Sequence, residues 1–316
     1  MGVGKLQRYL WPKTALIFWH DKEKIDAAFG YLGKEGVEIA ERRTIPIAER
    51  DELTSWYDEI VRTYPHTYVA AMLDTINQGA LPECGKRAME RFGVDAALVH
   101  TLCVENRWLV YTSLVEMKWF EQKFKGITFD LLFSPFMILY HAARSRLEKE
   151  PALFVLHLGG VAFLAILSED GLRYAQVLVV PETAGDAEDE EEGVEEVTFD
   201  LEMIEEEEVA PISDVDVLGE FQEEEDRLTG GEDEEALEKL EYTLNLFEEL
   251  KDAIHRFYHD ERYPNDFVEK VTIFDTDDLG SDMVRYIQDE LFMQATLEPF
   301  DPIEAMAALT AQEVGG

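Results

Sequence analysis

Three strand-length apolar runs separated by two tight turns constrain this chain more than any other feature. Ala152 to Leu158 reads Ala-Leu-Phe-Val-Leu-His-Leu, Gly159-Gly160 supplies a two-residue turn, and Val161 to Leu167 is a second apolar run. Glu169-Asp170-Gly171 turns the chain again, and Leu172 to Val180 is the third run. Short apolar runs bounded by glycine turns predict an antiparallel meander. Ahead of it, Phe129 to Phe133 predicts a strand. Ser134-Pro135 joins an N-cap hydroxyl to a proline at the first helical position, which predicts a helix to about Leu147.

On either side of this block the pattern alternates between strands and helices. Strands are expected at Thr14–Phe18 and Thr67–Met72, with a strand or hairpin arm over Val37–Ile47. A helix running to about Tyr64 carries Leu53, Trp56, Ile60 and Val61 near 3.6-residue spacing, and Pro65 stops it. Asn77 to Pro82 reads as a turn-rich loop before a short helix to about Arg91. Ala97–Cys103 and Trp108–Thr112 read as a hairpin turning at Glu105-Asn106, followed by a helix over Val115–Phe124. Beyond the meander, Leu237, Leu240, Leu244, Phe247, Leu250, Ile254 and Phe257 mark a long amphipathic helix from about Glu234. A strand over Val268–Phe274, a helix over Leu279–Leu291, a short strand or loop over Gln294–Pro299 and a final helix over Pro302–Glu313 complete the order.

Charge narrows the function classes. The net charge is −40, and the stretch Glu182–Glu235 holds roughly 26 acidic residues against one base, Arg227, leaving about −15 for the rest. This block reads as a self-repelling, mostly disordered insertion with room for one short strand near Val194–Ile204 or Val209–Val217. Nucleic-acid binding is disfavoured, because no basic face is available to neutralise phosphates. No apolar run reaches membrane-span length, and the apolar part of the N-terminal stretch is too short for a signal peptide. Cys84 and Cys103 read as free thiols of a reducing compartment, so the expected location is cytoplasmic, touching a membrane only through partners.

The order of strand, capped helix, meander, long helix, strand, helix, short strand and alanine-rich helix resembles the actin-like proteins of type IV pilus and type II secretion platforms, the PilM and GspL cytoplasmic-domain group. Asp130 to Leu139 resembles the strand and helix that open their second lobe. Leu156-His-Leu-Gly-Gly160 falls at the family's phosphate turn, Val271 to Gly280 at its adenosine loop, and Ile303 to Leu309 at its closing helix. The resemblance implies an α/β, actin-like (ribonuclease-H-like) two-lobed fold. The first lobe, with an inserted subdomain, is expected over residues 1–128. The second is expected over 129–316, interrupted by the acidic insertion at 182–235.

In nucleotide-binding members of that superfamily, Asp-X-Gly turns hold Mg²⁺ or its waters and let backbone N–H groups reach phosphate. Here the first strand ends Phe18-Trp19-His20-Asp21-Lys22, with no glycine and a bulky tryptophan at the turn. The second turn keeps Gly159 and Gly160 but has His157 where a carboxylate is expected, and the third loop carries Asp275-Thr276-Asp277-Asp278 before Gly280. Asp21, His157, Gly159, Gly160, Asp275 and Gly280 are therefore expected as vestiges of nucleotide loops, with no catalytic residue, metal site or cofactor. The implied function is a non-catalytic adaptor that binds the cytoplasmic tail of a single-span inner-membrane protein and links it to an assembly ATPase. The first-lobe segment Thr67–Thr112 is the expected neighbourhood of that contact. The alternative is an ATP-binding actin-like ATPase with divergent phosphate loops, for which Asp21 is the nearest carboxylate.

Other pairings read more simply as structure. Adjacent His20 and Asp21 point to opposite faces of a strand and are expected at a surface turn. His255 and His259 have metal-ligand spacing on a helix but lack the glutamate of a zinc-protease motif. Cys84, Cys103 and His100 lack Cys-X-X-Cys spacing, and Asn77-Gln78-Gly79 is expected as a plain turn.

Overall fold

The computed structural model describes residues 12–21, 23–33, 36–180, 232–264 and 266–315. The expected disordered insertion at 182–235 lies outside the described residues up to residue 231. The long helix begins at Glu232.

The chain opens with a three-stranded meander, β1 (Thr14–His20), β2 (Lys24–Leu32) and β3 (Val37–Pro46). Helix α1 (Arg50–Thr63) buries Leu53, Trp56 and Ile60, while Val61 lies on its solvent edge. After β4 (Thr67–Met72) comes an inserted subdomain, made of β5 (Gln78–Leu81), α2 (Lys86–Arg91), β6 (Val99–Val104) and β7 (Trp108–Ser113). Helix α3 (Leu114–Lys123) leads to β8 (Leu131–Phe133) and α4 (Pro135–Ala143). The second meander is β9 (Ala152–Leu158), β10 (Val161–Ser168) and β11 (Gly171–Val179). It is followed by α5 (Glu232–His259), β12 (Lys270–Asp275), α6 (Ser281–Glu290), β13 (Gln294–Pro299) and α7 (Pro302–Gly315).

Two five-stranded sheets result, ordered β3-β2-β1-β4-β8 and β11-β10-β9-β12-β13. Each is a meander whose first strand pairs in parallel with the fourth, and the fourth with the last. This repeated order, with helices between the parallel strands, is the ribonuclease-H-like unit of an actin-like fold. The repeat lies in strand order and pairing alone, which leave no internal repeat in the amino-acid sequence.

The lobe boundary differs from the sequence expectation at 128/129. β8 pairs with β4, Ala70 opposite Leu131 and Met72 opposite Phe133, so β8 and α4 close the first lobe. The strand-plus-capped-helix signal was correct as local structure, but the inserted subdomain separates β8 from the strands it joins. The break falls between Ala143 and Ala152. Helix α7 also crosses back: Ile303, Met306 and Leu309 share one core with Ala15 and Ile17 of β1, Leu139 of α4 and Leu156 of β9. Outer cores cover each sheet's other face, α1 and α3 residues on the first and α5 and α6 residues on the second.

Two local expectations are corrected. The segment read as a turn-rich loop is strand β5, pairing with β7 from Gln78–Thr112 to Leu81–Leu109. A Cβ at Gly79 would stand 2.5 Å from the Tyr111 hydroxyl, so any larger residue there would have to displace that side chain. The cysteines are not free. Cys84 and Cys103 form a disulfide with Cα atoms 5.7 Å apart. In the β5-β7-β6 sheet, Leu81 and Cys103 both flank Leu109, so the chain leaving β5 delivers Cys84 alongside Cys103. A pairing across an intervening strand leaves no mark in sequence spacing.

If α7 is part of the shared core, truncating it is costly. Met306→Ala should destabilise the protein by roughly 2–5 kcal/mol in urea unfolding. The exposed Glu313→Ala should stay within about 0.5 kcal/mol of wild type.

Candidate functional site

The carboxyl ends of β1, β9 and β12 meet at the cleft between the lobes, where an open α/β sheet presents its ligand-binding loops. At the β9–β10 turn, Gly159 and Gly160 adopt φ values of +39° and +74°, so their amides face out of the turn. Both amides are already engaged. Gly159 N–H donates to Asp277 Oδ2 at 2.6 Å, and Gly160 N–H donates to the Tyr242 hydroxyl of α5 at 3.1 Å.

Behind the turn the chain continues as a buried relay. His157 Nε2 lies 2.6 Å from the Tyr242 hydroxyl, and its Nδ1 lies 2.8 Å from Asp275 Oδ1. The donor directions are mutually consistent. Gly160 donates to Tyr242, Tyr242 O–H donates to Nε2 and Nδ1–H donates to Asp275. Asp275 also accepts the amides of Asp277 (3.2 Å) and Leu279 (2.8 Å). Burial pushes the Asp275 carboxyl up, but the His157 bond and the two amides outweigh it and hold it below the usual range. Burial raises the Tyr242 phenol far above its ordinary value, against the pull of the Gly160 amide. Thr276 Oγ1 closes the ring by donating to the His157 carbonyl at 3.1 Å.

The remaining expected residues fall around this network. Asp21 reaches it from the first lobe: a Cβ built on Gly159 would stand 3.3 Å from Asp21 Oδ1 and 3.4 Å from Asp277 Oδ2. Gly280 takes φ +84° ahead of α6, and Asp278, two residues earlier, pairs with Lys239 of α5 at 3.5 Å. The cleft thus brings together Asp21, His157, Gly159, Gly160 and Asp275, with Gly280 at the base of the third loop.

Two readings of the first turn are corrected. Trp19 does not block the turn; its ring is buried in the central core. His20 is no surface residue, since its side chain is 9% exposed and its Nδ1 lies 2.7 Å from Asp74 Oδ2. Lys123 of α3 donates to the same oxygen at 2.6 Å. Burial raises the Asp74 carboxyl, yet the bonds from His20 and Lys123 leave it lowered overall. Even-numbered β1 residues face α1 and α3, which turns His20 away from Asp21 and the cleft.

The alternative pairs are structural. Gln78 is buried, donating to the Thr75 carbonyl at 2.6 Å and accepting from Ser134 Oγ at 2.6 Å. Asn77 Nδ2 is bonded to Glu116. The His255 and His259 rings stack at 3.9 Å, and His259 Nδ1–H donates to the His255 carbonyl. Tyr242 was missed because its ring fits the apolar stripe of α5; its position between Leu240 and Leu244 was the available signal. Asp74 and Lys123 carried none, because strand ends and helices far apart in sequence bring them together.

A second concave feature lies beside β8, lined by the first lobe and by Leu309, Gln312 and Glu313 of α7. A groove of about 580 Å³ runs between the inserted sheet and β8, with walls from Leu102, Val104, Met117, Phe133, Met137 and Tyr140. Glu105, His141 and Arg144 stand at its lining. β6 and β8 are the outermost strands of their sheets, so each presents an edge without a strand partner among the described residues.

A family profile described as a domain of unknown function, DUF8341, matches residues 153–315. That is just over half the chain. The chain belongs to the DUF8341 family. A second profile, the domain of unknown function DUF8569, matches residues 11–140, so the two matches flank the break between Ala143 and Ala152. No curated protein matches the sequence. Among solved structures, the PilM–PilN type IV pilus biogenesis complex is similar at 14% identity and TM-score 0.48, over 95% of this chain and 94% of that one. A Bacteroides thetaiotaomicron protein with an actin-like ATPase fold is similar at 9% identity and TM-score 0.47, over 95% and 96%. MreB5 of Spiroplasma citri bound to ADP is similar at 9% and TM-score 0.46, over 96% and 95%. The two sheet orders, not these superpositions, establish the actin-like fold. No helix among the described residues is long and apolar enough to cross a membrane.

The relay has a pH signature. Because the folded Asp275 carboxyl titrates below its unfolded value of 3.8, its stabilisation is complete above that pH. It is lost as pH falls through the lower folded value. Urea unfolding from about pH 6 down to about pH 2 should show the gap between wild type and Asp275→Asn narrowing on the acid side. At neutral pH, Tyr242→Phe should cost on the order of 1–3 kcal/mol, since it strands both the Gly160 amide and His157 Nε2.

Proposed function

We propose that this chain is a non-catalytic adaptor of a membrane-anchored assembly platform, of the type IV pilus or type II secretion kind. Its partner is the cytoplasmic tail of a single-span membrane protein, and an assembly ATPase stands on its other side. It reaches the membrane only through that partner. The observation that carries the reading is the Asp277 carboxylate on the Gly159 amide: the chain supplies its own anion where a nucleotide phosphate would bind. A polyphosphate entering there has to displace a 2.6 Å charge-assisted bond and then face Asp21 and Asp277 together.

The groove beside β8 supports the binding half of the proposal. It lies at the end of the neighbourhood expected from Thr67–Thr112, has apolar walls and presents strand edges that an extended peptide can extend. A tail that is basic beside a membrane would approach a chain of net charge −40 with electrostatic acceleration.

A nucleotide-binding reading has one observation in its favour, the retained glycine turn with Asp21 facing it from the other lobe. Calorimetry with ATP–Mg separates the two. The adaptor reading expects no heat and no rise in melting temperature at millimolar ATP. Saturable binding that disappears in Asp21→Ala would overturn it. For the groove, a random-peptide selection should enrich extended sequences whose affinity falls about tenfold or more in Leu102→Glu. Binders indifferent to that change would remove the groove from the proposal.

A further inference from the structure

The inserted subdomain packs on the second lobe through β5 against β11, and two side-chain arms extend that contact. Arg107, at the foot of the Glu105-Asn106 turn, donates from Nη1 to the Glu169 carbonyl at 2.7 Å. Phe92, just after α2, lies 5.2 Å from the Tyr263 ring, with the Arg262 guanidinium 5.4 Å over it. Tyr263 is itself held edge-on against Tyr174 of β11 at 4.9 Å. The inserted sheet therefore clasps the second lobe across the top of the molecule.

The two arms are not equally secure. The Arg107 arm is part of a β6–β7 hairpin registered from Val99–Ser113 to Val104–Trp108, and β7 is also paired with β5. The Phe92 arm is a six-residue helix, α2, too short to hold itself, resting on a small core of Leu81, Met89 and Leu109. Its covalent anchor is the bond from Cys84, two residues before α2, to Cys103 of β6. Cys103 is exposed and Cys84 half-buried, so an external thiol can reach the bond.

We propose that the Cys84–Cys103 disulfide is a redox latch on this clasp, opened by a dithiol reductant, which frees the α2 arm from the second lobe. A thiolate of the reductant attacks the exposed Cys103 Sγ. The Cys84 sulfur leaves as a thiolate and takes up a proton. The reductant's second thiol then displaces Cys103, which is protonated in turn. Two electrons and two protons end on the cysteines, and the reductant departs as its own disulfide. Cys103 also lines the groove beside β8, so under the partner-binding reading the latch sets one groove wall. The latch itself stands without that reading.

Hydrogen exchange read by mass spectrometry tests the latch on the full chain without any partner. The oxidised protein is compared with protein reduced by dithiothreitol and with the Cys84→Ser/Cys103→Ser double variant. Exchange over residues 82–94 should rise about tenfold or more in both, with a smaller rise near Tyr263, while β1, β9 and β12 stay unchanged. Phe92→Ala, with the disulfide intact, should raise exchange near Tyr263 alone. Equal exchange in oxidised and reduced protein would overturn the proposal, as would two free thiols per chain in protein purified without reductant. Loss of protection throughout both sheets on reduction would also overturn it, because the bond would then be a global staple and not a latch.

Discussion

A glycine turn that points two half-buried backbone amides at a cleft needs an acceptor for each, from water, from a ligand or from the chain itself. In this chain the amides of Gly159 and Gly160 are satisfied from within, by the Asp277 carboxylate and the Tyr242 hydroxyl. Everything else around the cleft follows from that choice. Tyr242 needs an acceptor for its proton and finds His157. His157 then needs an acceptor for its other N–H and finds Asp275, whose second oxygen takes the Leu279 amide ahead of α6. One hairpin turn thereby ties β9, α5, β12 and the entry to α6 into a single polar network. Partly satisfied networks of this kind are costly and fully satisfied ones are rigid, and here the donor directions close without conflict from Gly160 to Asp275.

The larger architecture serves the same end. Two sheets of identical order face one shared core, and α4 and α7 supply residues to it together with β1 and β9. The inserted subdomain adds a second crossing at the far edge of the cleft, through Arg107 and Phe92. Two lobes joined at the core and at the clasp make a scaffold that presents surfaces in a set geometry. Under the adaptor reading proposed above, such a body serves recognition through the groove beside β8 and not a cycle of opening and closing around a nucleotide.

Much of the fold was legible because the signals were local. The meander over Ala152–Val180, the Ser134-Pro135 cap and the stripe of α5 depend on turn chemistry, capping and periodicity within a few residues. What was not legible depends on partners distant in the chain. β5 is a strand because β7 lies beside it, and β8 belongs to the first sheet because Ala70 and Met72 pair with Leu131 and Phe133. The disulfide forms across an intervening strand. The site divided in the same way. Gly159, Gly160, His157, Asp275 and Asp21 were named through the resemblance, at the positions where that family carries its nucleotide loops. Asp277 was listed only as part of the third loop, whereas its carboxylate accepts the Gly159 amide. His20 was misjudged because Asp74 and Lys123, which bury it, are invisible from its sequence neighbours.

The self-satisfied turn can be read at one atom. In an amide ¹H–¹⁵N spectrum, a Gly159 N–H donating to a carboxylate at 2.6 Å gives a strongly downfield proton. The account predicts that this resonance moves sharply upfield in Asp277→Ala and does not move when ATP–Mg is added to the wild-type protein. A Gly159 resonance indifferent to Asp277→Ala but shifted by ATP–Mg would contradict it, and would return the turn to a nucleotide.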